Sequence, residues 1–134
     1  MELKRAGTRP TQKGPAEWFT GEVSIEPLSN PPEPSRVGAA RVTFQPGARS
    51  AWHKHPLGQT LIVTSGVGRH CCDGEPVEVI REGDVVWCPP NQRHWHGATP
   101  DSAMTHIAIQ ESLNGSPVTW FELVTEEDYL KGRN

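Results

Sequence analysis

The chain has 134 residues, enough for one domain of ordinary size. Its formal charge of −3, with acids and bases interspersed, leaves no basic stripe to follow a phosphate backbone and argues against a nucleic-acid partner. The 13 glycines and 13 prolines fall at short intervals, which favours many short strands joined by turns over a helical bundle.

Residues 1–20 mix polar and turn-forming residues and predict a loose arm or an edge strand. The start, Met1-Glu2-Leu3-Lys4-Arg5, leads into no apolar run, so no signal peptide is expected. Alternation predicts a strand over 21–28, with Val23 and Ile25 on one face. Asn30-Pro31-Pro32-Glu33-Pro34 lacks three ladder donors and reads as a surface loop. A strand resumes over 39–45, with Ala40, Val42 and Phe44 sharing a face. Short strands follow at 51–55 and 59–64, then a turn at Ser65-Gly66 and strands at 67–71 and 77–81. Further strands are predicted at 85–88, 94–98, 104–111 and 118–124. Thr125, with Asp128 three residues on, predicts the start of a short terminal helix. Closely spaced strands without intervening helices imply an all-β antiparallel sandwich or barrel.

The longest apolar runs, Leu61-Ile62-Val63 and Val85-Val86-Trp87, are too short to cross a bilayer, so no membrane partner is expected. Three cysteines, two of them adjacent (Cys71 and Cys72, with Cys88 apart), argue against a disulfide scaffold. A reducing cytoplasm is the simplest location.

The histidines concentrate between His53 and His106. His53 and His55 stand two apart, which on a strand points both imidazoles to one face. Gln59 follows across the Pro56-Leu57-Gly58 corner. His94 and His96 repeat the spacing, with Trp95 pointing the other way. One such pair is commonly two solvated histidines. Two pairs returned to one barrel make a mixed imidazole and amide shell for a first-row divalent metal.

Two stretches carry a family resemblance. Gly47-x5-His53-x-His55-x3-Gln59-x6-Gly66 resembles the first cupin motif, with Gln59 where a glutamate is usual. Gly83-x5-Pro89-x-Asn91-x2-His94-x3-Ala98 resembles the second, with Asn91 in place of a glycine and Ala98 in place of an asparagine. The resemblance implies a single-domain jelly-roll barrel over residues 21–134 behind an arm at 1–20. It extends to a subgroup: the runs Gly47–Thr64, Gly83–Trp87, His94–Ala98 and Ala103–Glu111 are similar to the manganese-dependent cupin hydroxynitrile lyases. That likeness implies one divalent ion per subunit on His53, His55, Gln59 and His94, with manganese ahead of iron, zinc or nickel. It also implies a homo-oligomer, dimer or tetramer.

Parity predicts the surroundings of such an ion. His96 shares the face of His94, and Met104, His106, Ala108 and Gln110 share another. Ala40, Val42, Ser50 and Gln110 are expected to line a substrate pocket, with His96 and His106 as candidates for the base. His106 reads equally as a support for its neighbours, and Ser50 as a backbone-bonded serine. Trp52, Trp87 and Trp95 are expected to pack on the outer faces of the walls. The resemblance implies a lyase acting on a small molecule, an aromatic cyanohydrin such as mandelonitrile. A cupin oxygenase or other metalloenzyme, and a non-catalytic small-molecule binder, remain open beside it.

Overall fold

The structure, a computed structural model, describes residues 1–131, so the last residues of the expected barrel, 132–134, lie outside the described residues. Six strands occupy the first half: β1 (Gln12–Lys13), β2 (Phe19–Thr20), β3 (Val23–Ser29), β4 (Val37–Phe44), β5 (Arg49–Ser50) and β6 (His53–Lys54). The second half holds β7 (Gln59–Cys72), β8 (Glu78–Arg81), β9 (Val85–Cys88), β10 (His94–Ala98), β11 (Met104–Glu111), β12 (Thr119–Trp120) and the helix α1 (Glu126–Leu130). The fold is all-β, as expected, with one short helix at the end.

The strands form two antiparallel sheets that share β7. One runs β1-β3-β4-β11-β7 with β9 on the far side, paired through the first half of β7. The other joins the second half of β7 to β8 and β10, and β10 in turn pairs with β5 and β6. Short strands β2 and β12 extend this sheet. Residues 1–20 contribute β1, which pairs with β3, and β2, whose Phe19 reaches the core.

Three expected elements are corrected. Ser65-Gly66 is not a chain reversal: β7 runs unbroken from Gln59 to Cys72. Opposite β11, Val63 pairs with His106 and Ser65 with Thr105, so Thr64 is an extra residue, a bulge rather than a turn. Gly66 then crosses to the other sheet at φ 78°, a region glycine enters without a Cβ penalty. The expected strands 51–55 and 118–124 shrink to β6 and β12, because the Trp52 amide donates to the Glu122 carbonyl and the Trp52 carbonyl accepts from the Phe121 amide outside a regular ladder, while Val124 turns into a separate apolar cluster.

A Cβ at Gly66 would run into the Ala103 carbonyl. Gly66→Ala is therefore expected to destabilise the fold by roughly 2–4 kcal/mol, combining a left-handed backbone with a backbone clash. Urea denaturation checks this: an unchanged midpoint would contradict the geometry of the seam.

The main core lies between the sheets around Val23, Phe44, Val63 and Met104. Full burial of such side chains contributes roughly 1.5–3 kcal/mol each. A second cluster, Trp52, Cys71, Trp95, Val124 and Tyr129, fills the space under α1. Thr125 caps α1 as the sequence predicts, its Oγ1 accepting from the Asp128 amide at 3.1 Å. Arg49 and Arg69 lie over the Tyr129 ring and donate to the Val124 and Tyr129 carbonyls, which clamps the helix. Trp95 is fully buried and Trp52 nearly so, while Trp87, 59% exposed, packs its ring over Gly58.

Candidate metal centre and its pocket

Strand register assembles the histidines. His94 of β10 lies opposite His53 of β6, and Gln59 at the start of β7 lies opposite Gln110 of β11. His55 leaves β6 into the Pro56-Leu57-Gly58 corner, where its carbonyl accepts from the Asn91 amide at 2.8 Å. Asn91 adopts φ 62°, which explains why the corresponding motif position usually holds glycine: asparagine also tolerates this conformation. Ala98, the other departure, is fully buried, with its amide on the Ala48 carbonyl and its own carbonyl accepting from the Tyr129 hydroxyl.

The four residues implied as ligands come together. Donor atoms of His53, His55 and His94 lie within 4.8 Å of one another. Each residue is also held from behind. His53 Nδ1 is 2.8 Å from the Ala51 carbonyl, and His55 Nδ1 is 2.8 Å from that of Pro117. Gln59 Nε2 donates to Gln110 Oε1 at 3.0 Å, and His94 Nδ1 lies 2.9 Å from His70 Nε2. What remains are His55 Nε2, His94 Nε2 and Gln59 Oε1, all buried without a partner. Leaving such atoms unpaired costs about 1–3 kcal/mol each, so a convergent set is the mark of a site built for a cation.

Electrostatics agree. Burial, followed by the neighbouring His55, pushes His53 down to about 3. Burial also holds His94 well below the ordinary histidine value, and His55 below it. The imidazoles are neutral at neutral pH, the form that ligates a metal. A second trio, His70, Cys88 and His94, fits less well. There the facing nitrogens of His70 and His94 already bond each other, and burial pushes the Cys88 thiol up to about 12.

Beside the donors lies a cavity of about 150 Å³, lined by the expected Ala40, Val42, Ser50, His96, His106 and Gln110. Phe19, Ala108, Val118 and Trp120 complete its apolar wall. Ser50 is buried, and its Oγ accepts from the His96 amide at 3.2 Å, so the serine holds β10 in place as well as facing the cavity. His96 Nδ1 lies 2.9 Å from His106 Nε2, which leaves His96 Nε2 and His106 Nδ1 without partners. Phe44 sets its ring against both. A larger hollow of about 620 Å³ opens on the opposite side of β10, between Trp52, Trp95 and the acidic groups Asp73, Glu75 and Asp128, away from the imidazoles.

The sequence reading missed three contributors. His70 stands outside both motifs, Pro117 precedes the strand predicted over 118–124, and that strand's face toward the pocket, which holds Trp120, is not fixed by its sequence. Only register, which sets His70 opposite His96, reveals the first.

Burial pushes His106 down to about 4. In the unfolded chain a histidine titrates near 6.5. Stability is therefore complete above that value and falls as pH drops toward 4, because the unfolded chain takes up a proton that the folded chain refuses. By pH 5 the metal-free protein should have lost roughly 2 kcal/mol from this residue alone. Denaturation midpoints that are equal at pH 7 and pH 5 would contradict a neutral buried imidazole.

Residues 40–109 match the model of the cupin domain. The chain belongs to the cupin family. This cupin is 59% identical over 131 residues to an "(R)-mandelonitrile lyase" of Granulicella tundricola, a match covering 98% of this chain and 100% of that one. Among solved structures, a cupin-like protein of Thermotoga maritima superposes with a TM-score of 0.88 at 41% identity, covering 96% of this chain and 97% of that one. The polyketide cyclase RemF of Streptomyces resistomycificus shares the fold at a TM-score of 0.76 but only 14% identity, with 97% and 91% covered. The cupin is thus a single jelly-roll barrel with a histidine-rich site able to hold a metal ion.

Proposed function

We propose that this cupin is a metal-dependent lyase that splits aromatic cyanohydrins such as mandelonitrile into aldehyde and hydrogen cyanide, and joins them in reverse. The observation that carries the reading is the adjacency of two unlike sets of groups. One is a neutral donor set with buried unpartnered atoms on His55, Gln59 and His94; the other is a neutral imidazole pair, His96 and His106, facing a small apolar cavity. The mandelonitrile lyase similar over the whole length supports it.

His53, His55, Gln59 and His94 would hold the ion. When bound, it supplies Lewis acidity for a hydroxyl or carbonyl oxygen, undiminished because no carboxylate stands among its ligands. The resemblance favours manganese; the Gln59 amide oxygen suits it, while three imidazoles equally suit iron, zinc or nickel.

The remaining chemistry belongs to the chain. With His96 Nδ1–H donated to His106 Nε2, His96 Nε2 presents a lone pair and takes the hydroxyl proton of the cyanohydrin. The oxygen's electrons then form the carbonyl as the bond to the nitrile carbon breaks, and cyanide leaves with that bonding pair. His96 returns the proton to cyanide, so the cycle needs no oxidant or reductant. Ala40, Val42 and Ala108 keep the wall apolar, and Gln110 braces Gln59 from behind.

Association into a dimer or tetramer is part of the reading. It is supported by Val85 and Trp87, which are 65% and 59% exposed on β9 at the border of a sheet. A cytoplasmic location is supported by three free cysteines. Among the described residues, no helix is long and apolar enough to cross a membrane.

The test is aldehyde release from mandelonitrile by manganese-loaded protein, set against chelated protein and the uncatalysed reaction. Release that depends on metal supports the lyase. A metal-loaded protein that releases none sinks it and leaves the metal centre standing.

A further inference from the structure

His94 differs from the other histidines of the donor set. His53 and His55 rest their Nδ1 atoms on main-chain carbonyls, those of Ala51 and Pro117. His94 sits in β10 with β7 on one flank and β6 on the other, so the neighbouring carbonyls are engaged in sheet pairing. Its Nδ1 lies instead 2.9 Å from Nε2 of His70, a buried side chain on β7.

Proton placement makes this contact decisive. One proton lies between the two nitrogens. If His70 donates it, His94 carries its own proton on Nε2 and has no lone pair for a cation. If His94 donates it, His94 Nε2 is a lone pair directed into the donor cluster and His70 is protonated on Nδ1. Only the second arrangement matches the buried, unpartnered His94 Nε2 to a cation.

The geometry points to His70 as a positioning residue: it accepts the Nδ1–H of His94 and so fixes the tautomer and ring plane in which His94 holds the metal. The inference rests on the metal-centre reading above. It also extends a pattern. The groups behind the four donor residues are the Ala51 and Pro117 carbonyls, Gln110 and His70, all neutral. A carboxylate in the place of His70 would raise the basicity of His94 but would also cancel part of the ion's charge. An imidazole orients the ligand without doing so.

The experiment uses zinc as a diamagnetic, spectroscopically silent probe. Chelator competition measures zinc affinity of wild type, His70→Gln and His70→Leu, with circular dichroism of each metal-free protein as the check on folding. His70→Leu should bind about 10- to 100-fold more weakly, as expected when the partner behind a ligand is lost. His70→Gln, whose Oε1 can accept the same proton, should stay within about threefold of wild type. In zinc-loaded wild type, nitrogen-15 spectra of the histidines should show His70 protonated on Nδ1 and bare on Nε2. That last reading stands even if the leucine variant does not fold. A proton on His70 Nε2, or a folded His70→Leu that binds zinc as wild type does, overturns the assignment alone. Wild type that takes up no zinc overturns the metal centre with it.

Discussion

His94→Ala is expected to bind no metal at micromolar concentrations and to cleave mandelonitrile no faster than buffer, a loss of at least about a thousandfold. The residue is fully buried, stands opposite His53, and offers an otherwise unpartnered Nε2. Its removal deletes one donor and leaves His70 Nε2 without its partner. Some loss of stability is therefore expected too, and the measurement must separate the effects: metal content by mass spectrometry, folding by circular dichroism, aldehyde release on the same sample. A folded variant that keeps both metal and activity would remove His94 from the centre. Gln59→Glu sharpens the comparison, since it supplies the carboxylate usual in the first cupin motif. Gln110 can turn its amide to donate to that carboxylate, so the variant should fold and hold metal at least as tightly. Its lyase rate should nonetheless fall, because an anionic ligand weakens the ion as an acid.

The second large effect concerns the imidazole pair. His96→Ala should lower kcat by about 100- to 10,000-fold while metal content stays at the wild-type level, the range expected when a general base is lost. His106→Ala should cost nearly as much, since His106 Nε2 is the group that directs His96 and keeps its other nitrogen bare. Two residues that act as one unit are not additive. The double variant should accordingly resemble His96→Ala rather than the product of both losses. Full activity in His96→Ala would withdraw its role as base, and a multiplicative double variant would give the histidines separate tasks. Burial keeps this pair neutral, well below the ordinary histidine value for His96, so the rate should not collapse until the pH is distinctly acidic.

Much of the centre was legible because strand parity is a strong constraint. Period-two spacing pairs His53 with His55 and His94 with His96, whereas the set His53, His55, Gln59 and His94 is what the family resemblance implies. That His94 faces His53 is seen only in the pairing of β6 with β10. The same rule put Ala40, Val42, His106 and Gln110 around one cavity, where the structure has them. Parity fails where the chain is irregular. The segment containing Pro117, Val118 and Trp120 keeps only a two-residue strand of the predicted 118–124, so alternation along it does not tell which side chains close the pocket. His70 was hidden by a different cause. Read as the end of a separate strand after a turn, its face is undetermined. Its partner becomes visible only once β7 is known to be continuous and its pairing with β10 is fixed.

The bulge in β7 sets that face. Before it, the odd-numbered residues Gln59, Leu61 and Val63 turn inward; after it, the even-numbered His70 meets the histidines while Cys71 packs under α1. Thr64 works as a frame-shift in the fold, exchanging inside for outside along a single strand. Were Thr64 taken into a regular ladder instead of bulging, the strand's two ends would fall out of phase, and either Gln59 or His70 would leave the cluster. A thiol would then face the imidazoles where a nitrogen base now stands. The chemistry at both ends of β7 hangs on a residue that touches neither.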